Sequence, residues 1–153
     1  AGLSFSMLLN LASVANAENP DILWGFITRY APGSSPEASP RLAGLVDHAV
    51  AYYRDFIATQ KKYRTPTDQE RAALTELAAW LEAAPAGATG EEFQNELYAI
   101  GKRHEFTNLR DWFKALYEVL LGQSEGPRFG SFAAIYGIPE TLALVRSGRA
   151  RQA

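Results

Sequence analysis

Apolar residues recur along this chain at three- and four-residue steps while strict alternation is nearly absent, so the pattern predicts helices and no sheet. Leu8, Leu9, Leu11 and Val14 mark a first helix from about Ser4 to Asn16. Asn19 before Pro20 is a capping residue followed by proline at the first helical position, and it opens a second helix to about Tyr30. Ala31 to Ser39, rich in Pro, Gly and Ser, reads as a surface loop. Ser39-Pro40 repeats the start signal for a long third helix, in which Leu42, Leu45, Val46, Ala49, Tyr53 and Phe56 form one stripe.

Thr67-Asp68-Gln69-Glu70 has the form of a capping box, in which the threonine hydroxyl accepts an amide one turn on and the glutamate returns to the cap's amide. It fixes the start of a fourth helix whose buried face is Ala73, Leu74, Leu77, Trp80 and Leu81, and which Pro85 to Gly90 ends. A second box, Thr89 with Glu92, begins a fifth helix carrying Phe93, Leu97 and Ile100. Asn108 with Asp111 starts a sixth, carrying Trp112, Phe113, Leu116, Tyr117 and Leu120 and closed by Gly122. Two short helices follow, about Pro127 to Tyr136 and Pro139 to Ser147. The expected fold is all-α, a single helical bundle or cage of about eight helices over residues 1–153, without repeat, low-complexity tract or linker.

A content of 47% hydrophobic and 21% charged residues is that of a packed globule rather than a disordered chain. Absence of cysteine removes disulfides and thiolate zinc sites and agrees with cytoplasmic residence. The apolar run Leu3 to Ala17 ends in Ala15-Asn16-Ala17, like a signal-peptidase site, yet no cation precedes it. It is also too short and too often interrupted by serine and asparagine to span a bilayer, so neither a signal peptide nor a membrane partner is expected. A chain opening at Ala1 without methionine fits a fragment of something longer.

The net charge of −2 is unpromising for a nucleic-acid binder, but its distribution is uneven. Arg54, Lys61, Lys62 and Arg64 against Asp55 make one basic segment; Lys102, Arg103, Arg110 and Lys114 against Glu105 and Asp111 make a second. Arg128, Arg146, Arg149 and Arg151 against Glu140 make a third, whereas Thr67 to Glu96 sets seven acidic residues against Arg71 alone. A dipolar molecule with one basic side follows from this, unless the charges are ordinary solvated helix faces.

Unpaired RNA is bound by cations for its backbone and flat groups on which bases lie. Three segments combine the two: Lys61, Lys62, Tyr63 and Arg64; Lys102, Arg103 and His104 with Phe106 and Arg110; and Arg128 with Phe129. The last lies in Leu121 to Phe132, Leu-Gly-Gln-Ser-Glu-Gly-Pro-Arg-Phe-Gly-Ser-Phe, a turn that brings glycines, a cation and two rings together. Each has a structural alternative. Phe129 and Phe132 fit core anchors, Arg128 fits a helix-end cap, Tyr63 fits packing on the third helix, and Trp24, Trp80 and Trp112 fit the core. His48 reads as structural, and no metal cluster or nucleophile–base pair can be assembled from His48 and His104.

The run Leu121 to Phe132, with Tyr117 to Leu121 leading into it, resembles the closing segment of class I lysyl-tRNA synthetases of the archaeal and bacterial type. Phe5 to Ser13 continuing through Asn16-Ala17-Glu18, Leu23 to Ile27 and Tyr30 to Gly33, then Tyr53 to Phe56 and Lys61 to Arg64, follow that family's order and spacing. The resemblance covers nearly the whole chain. It implies a C-terminal anticodon-binding domain, a helical cage like that of glutamyl-tRNA synthetases, holding the anticodon stem-loop of tRNA(Lys) and no DNA. It further implies a catalytic Rossmann domain upstream in the same chain, using ATP with magnesium. The His-Ile-Gly-His and Lys-Met-Ser-Lys-Ser signatures of that domain do not occur here, so this part itself is expected to hold no cofactor and to catalyse nothing. A helical protein-interaction domain, docking a basic partner on Thr67 to Glu96, is the competing expectation.

Overall fold

The computed structural model describes residues 3–84 and 87–152. Ala1, Gly2, Pro85, Ala86 and Ala153 lie outside them, and with Pro85 goes the proline expected to end the fourth helix. The described residues form eight α-helices and two π-helical turns and no strand, as the periodicity predicts. Their contacts divide into two compact units between Lys61 and Lys62, inside a basic run that carries no glycine, serine or proline to mark it.

The first unit contains α1 (Phe5–Ala15), α2 (Pro20–Tyr30) and α3 (Pro40–Tyr52), with the π-helical turn Tyr53–Ile57 continuing α3. Ser4 caps α1 by accepting the Met7 amide, and Asn19 caps α2 by accepting from Asp21. Leu8, Leu11, Leu23, Ile27, Val46 and Ala49 are fully buried and make the core. In the π-helical turn Ala58 donates to the Tyr53 carbonyl five residues back, which adds a residue to that turn. The phase of the stripe shifts with it: Tyr53 is buried, whereas Phe56, expected on the same stripe, is 55% exposed. Phe56 instead ends a ladder of outward rings with Tyr52, His48 and Phe5.

The second unit contains α4 (Asp68–Ala83), α5 (Gly90–Arg103), α6 (Leu109–Leu116), a π-helical turn Tyr117–Leu121, α7 (Phe129–Tyr136) and α8 (Ile138–Arg149). Both capping boxes form, at Thr67 with Glu70 and at Thr89 with Glu92. α4 packs chiefly on α8 and α5 on α7, around Phe93, Leu97, Trp112, Leu116, Phe129 and Phe132. Phe129 and Phe132 are fully buried, so the core alternative is the observed one. Trp112 is buried too, with its indole N–H donating to the Leu97 carbonyl at 3.0 Å.

The approach of α7 to α5 depends on Gly130. A Cβ there would collide with the Gly90 carbonyl oxygen, and the Gly130 amide donates to Gln94 Oε1 at 2.7 Å. Gln94 thus satisfies one of the unpaired amides that open α7 in a place where water cannot reach.

Candidate nucleic-acid interface

Asn108 starts α6 by accepting the Arg110 amide at 2.9 Å. From that start, Arg110, Phe113, Lys114 and Tyr117 fall at three- and four-residue spacing on one face of α6 and its continuation. They form one side of an open groove of about 600 Å³, whose other side is Ser124, Glu125 and Gly126. Arg110 is exposed, and the Lys114 amine lies 4.0 Å from the Glu118 carboxylate with its side chain 58% exposed. A pair that long and that wet contributes little to stability, and the amine remains available to another anion.

Both rings pack against other aromatic residues. Tyr98 and Phe113 meet in a T-shaped contact at 5.4 Å, and Tyr117 stacks on buried Phe129 at 6.4 Å. The Tyr117 hydroxyl donates to the Pro127 carbonyl at 2.8 Å, and burial, with a smaller contribution from Tyr98, pushes its ionisation above the ordinary phenol range. Tyr117 is therefore a neutral donor whose hydrogen is already engaged, and it offers the groove only its ring. Gly126 lies so close to that ring that a Cβ would sit 2.5 Å from Tyr117 Cδ1. Together with the Gln123 amide donating to the Tyr117 carbonyl at 3.2 Å, these contacts pin the loop wall to the helix.

The basic segments meet different fates. The Lys61 amine donates to the Ser13 carbonyl at 2.8 Å and Asn16 Oδ1 at 3.0 Å and lies 5.2 Å over the Tyr53 ring, closing the end of α1. Arg64 grips Glu70 with two bonds of 2.7 and 3.0 Å and Glu118 with a third of 2.7 Å. Arg103 is bound by Glu76 and Glu96, and His104 Nε2 lies 2.7 Å from Glu76. Tyr63, 41% exposed, carries the Arg151 guanidinium 3.9 Å over its ring. Lys62, Lys102 and Arg110 are exposed and enter no ion pair among the described residues. Arg128 is exposed and reaches only as far as Ser131, at 3.4 Å.

Much of the charge separation along the sequence is thus folded into ion pairs. Glu70, Glu76, Glu82 and Glu96 of the acidic stretch neutralise Arg64, Arg103 and Arg146 of the basic ones. Burial alone would raise the Glu70 carboxyl, but the bonds from Arg64 and Thr67 outweigh it and hold it below the usual carboxylate range. For Glu76 the bond from Arg103 dominates and has the same effect.

The expected presentation of a cation beside a ring is realised on α6 rather than at Arg128-Phe129, where Phe129 points into the core. Phe106 is likewise half-buried and packs on Trp112 at 5.3 Å. In sequence Phe113 and Tyr117 stand as apolar positions of the sixth helix and Lys114 as one cation of a basic segment, and neither pattern alone joins them into a groove. The signal was present as a mixed stripe, Arg110-Phe113-Lys114-Tyr117, on a single helix face.

The second unit therefore presents, on an all-α scaffold, a groove lined by two cations, Arg110 and Lys114, two aromatic residues, Phe113 and Tyr117, and one carboxylate, Glu125. That combination suits a flexible, anionic chain of flat groups. Among the described residues there is neither a cluster of acidic, histidine or cysteine side chains able to hold a metal nor a helix long and apolar enough to cross a membrane. No protein-family model matches the chain. It is 53% identical over 141 residues to the lysine–tRNA ligase of Roseobacter denitrificans, an alignment covering 92% of this chain. The lysine–tRNA ligases of Rickettsia bellii and Rickettsia felis are 44% and 43% identical to it over 144 residues, or 94% of this chain. The chain spans only 27–28% of the length of these relatives, so it is similar to one segment of each.

Proposed function

We propose that the chain is the helical, tRNA-binding C-terminal segment of a class I lysine–tRNA ligase, and that it holds the anticodon stem-loop of tRNA(Lys). The parent enzyme would join lysine to that tRNA in the cytoplasm, consuming ATP with magnesium in a catalytic domain of the same chain. The supporting observation is the similarity of nearly all 153 residues to one segment of proteins named lysine–tRNA ligase. The groove along α6 is in keeping with it, because an anticodon loop offers both phosphates and unstacked bases. Catalysis is not assigned to this segment.

The test is a titration of the chain with tRNA(Lys) and with an unrelated tRNA at increasing salt. The logarithm of affinity should fall linearly with the logarithm of salt concentration, with a slope of roughly 0.7 to 0.9 per phosphate contact. Affinity that ignores salt, or that is equal for the two tRNAs, refutes the reading.

One observation favours a second reading, docking onto a partner protein: the outward ring ladder of Phe5, His48, Tyr52 and Phe56 in the first unit, with Tyr52 38% and Phe56 55% exposed. The acidic stretch no longer favours it, since much of its charge is spent on this chain's own arginines.

A further inference from the structure

Resting on the reading above of a catalytic domain in the same polypeptide, we propose that the aromatic ladder of the first unit is the seat on which that domain docks. The ladder is continuous: the Phe5 and His48 rings lie 4.9 Å apart, His48 and Tyr52 6.5 Å, and Tyr52 and Phe56 4.9 Å. His48, Tyr52 and Phe56 recur every four residues along α3 and its π-helical continuation, which sets them on one face. The π-helical turn carries Phe56 out of the buried stripe and onto this face, and such turns recur at functional sites. Of the six large apolar side chains exposed among the described residues, Ile22, Tyr30, Tyr52 and Phe56 belong to the first unit, the smaller of the two, so the apolar surface to be covered is concentrated there.

Charge and area identify the occupant. Between residues 42 and 60 Arg54 is the single lysine or arginine, it lies 3.5 Å from Asp55, and Asp47 adds a further anion, so the ladder offers no field for RNA. Tyr52 at 38% and Phe56 at 55% exposure leave roughly 200 Å² of ring surface. Even doubled by Phe5 and His48, that falls short of the about 800 Å² per partner that a stable association of separate molecules buries, which argues against a second copy. A domain in the same polypeptide needs far less, because tethering supplies an effective concentration of about millimolar. The relatives have the length for such a domain: the matched segment is 27–28% of each, which leaves 72–73% outside it. Phe5 is the first residue of α1, and in this reading a preceding domain joins the chain beside the ladder. Seated there, the catalytic domain takes one orientation to this segment instead of a tethered range of them.

The experiment is hydroxyl-radical footprinting of the full-length parent ligase without tRNA, read residue by residue by mass spectrometry. Tyr52, Tyr63 and Tyr98 make an internal comparison, because they are 38%, 41% and 41% exposed in this chain and share one side-chain chemistry. If docking brings the ladder to the 6% exposure of Tyr53, Tyr52 should be oxidised about 7-fold more slowly than Tyr63 and Tyr98, and Phe56 about 9-fold more slowly in the ligase than in the isolated chain. Tyr52 oxidised as fast as the other two tyrosines overturns the docking.

Tyr52→Ser combined with Phe56→Ser, at two exposed positions, should keep the melting temperature of the isolated chain within about 4 °C of the parent. In the ligase the same pair should return His48 oxidation to its rate in the isolated chain, as the seat opens. A larger fall in melting temperature shows that the rings hold the first unit together, and overturns the docking. An isolated chain that sediments as a dimer with Tyr52 shielded makes a second copy the occupant, and overturns it too. Charging of tRNA(Lys) with lysine by the full-length enzyme is measured alongside: no charging overturns the ligase reading on which the proposal rests, whereas charging with an exposed ladder overturns the docking alone.

Discussion

Arg64 sits in a basic run that reads as an RNA contact, yet its guanidinium is spent on Glu70 and Glu118, so its replacement should cost folding before binding. In Arg64→Met the stem remains and the three charged bonds disappear. Glu70, with a side chain only 11% exposed, is left with the Thr67 amide at 2.9 Å as its partner. Stranding a fully buried charge costs about 3 to 5 kcal/mol. Arg64 is 36% exposed, and water screens and partly replaces what it gave, which brings the expected loss to about 2 kcal/mol. For a chain of this size that lowers the melting temperature by roughly 4 to 8 °C near neutral pH.

The pH dependence gives the sharper test. The Glu70 carboxyl is held below its ordinary value of 4.5, so the stability it contributes is complete above that pH and is lost as pH falls through the folded-state value. The gap in melting temperature between parent and variant should be full at neutral pH and shrink as the buffer is taken below about 4.5. Circular dichroism at a series of pH values reads both. Glu76 is also depressed, by Arg103, but it loses its contribution equally in parent and variant and cancels from the gap. A gap under about 1 °C at neutral pH, or one that stays constant into acid, would show that the Arg64–Glu70 pair holds nothing.

Three other changes probe the scaffold. Glu105 ends α5 in the left-handed region, at φ 63°, with Phe106 and Glu105 amides returning to the Gly101 and Lys102 carbonyls; Glu105→Gly should raise stability by up to about 1 kcal/mol in urea unfolding. Gly130→Ala should lower it by about 2 to 3 kcal/mol, because the added methyl meets backbone at Gly90, and an unchanged urea midpoint would contradict the α5–α7 packing. Gly126→Ala forces the loop off the Tyr117 ring, at a cost of about 1 kcal/mol, and should shift the Tyr117 ring resonances in NMR spectra.

The helices were legible because their starts are written locally. Asn19-Pro20, Thr67 with Glu70 and Thr89 with Glu92 are interactions within one turn, and each appears where its residues predict it. Phe56 departs from the stripe because a π-helical turn depends on how α3 finishes its packing, and a stripe extrapolated at 3.6 residues per turn cannot register the extra residue. The cations were harder still. Arg64 and Lys62 look alike in sequence, and only tertiary structure brings Glu118 across 54 residues to claim the first and leave the second exposed.

That sorting gives the groove its electrostatic character. Glu118 is shared, 2.7 Å from Arg64 and 4.0 Å from Lys114, so two cations of different standing meet on one carboxylate. A phosphate arriving at the groove competes for Lys114, the longer and wetter of the two contacts, and Glu118 keeps its short bond to Arg64 when Lys114 turns away. Binding therefore need not break the pair that braces α4 against the π-helical turn. Cations that hold the fold and cations that meet a ligand are separable in this chain: loss of the first kind should appear in melting and acid sensitivity, and loss of the second in the salt dependence of RNA affinity. Arg64→Met should leave the salt slope of the folded protein unchanged, whereas Lys114→Gln should lower the slope and leave the melting temperature nearly where it was.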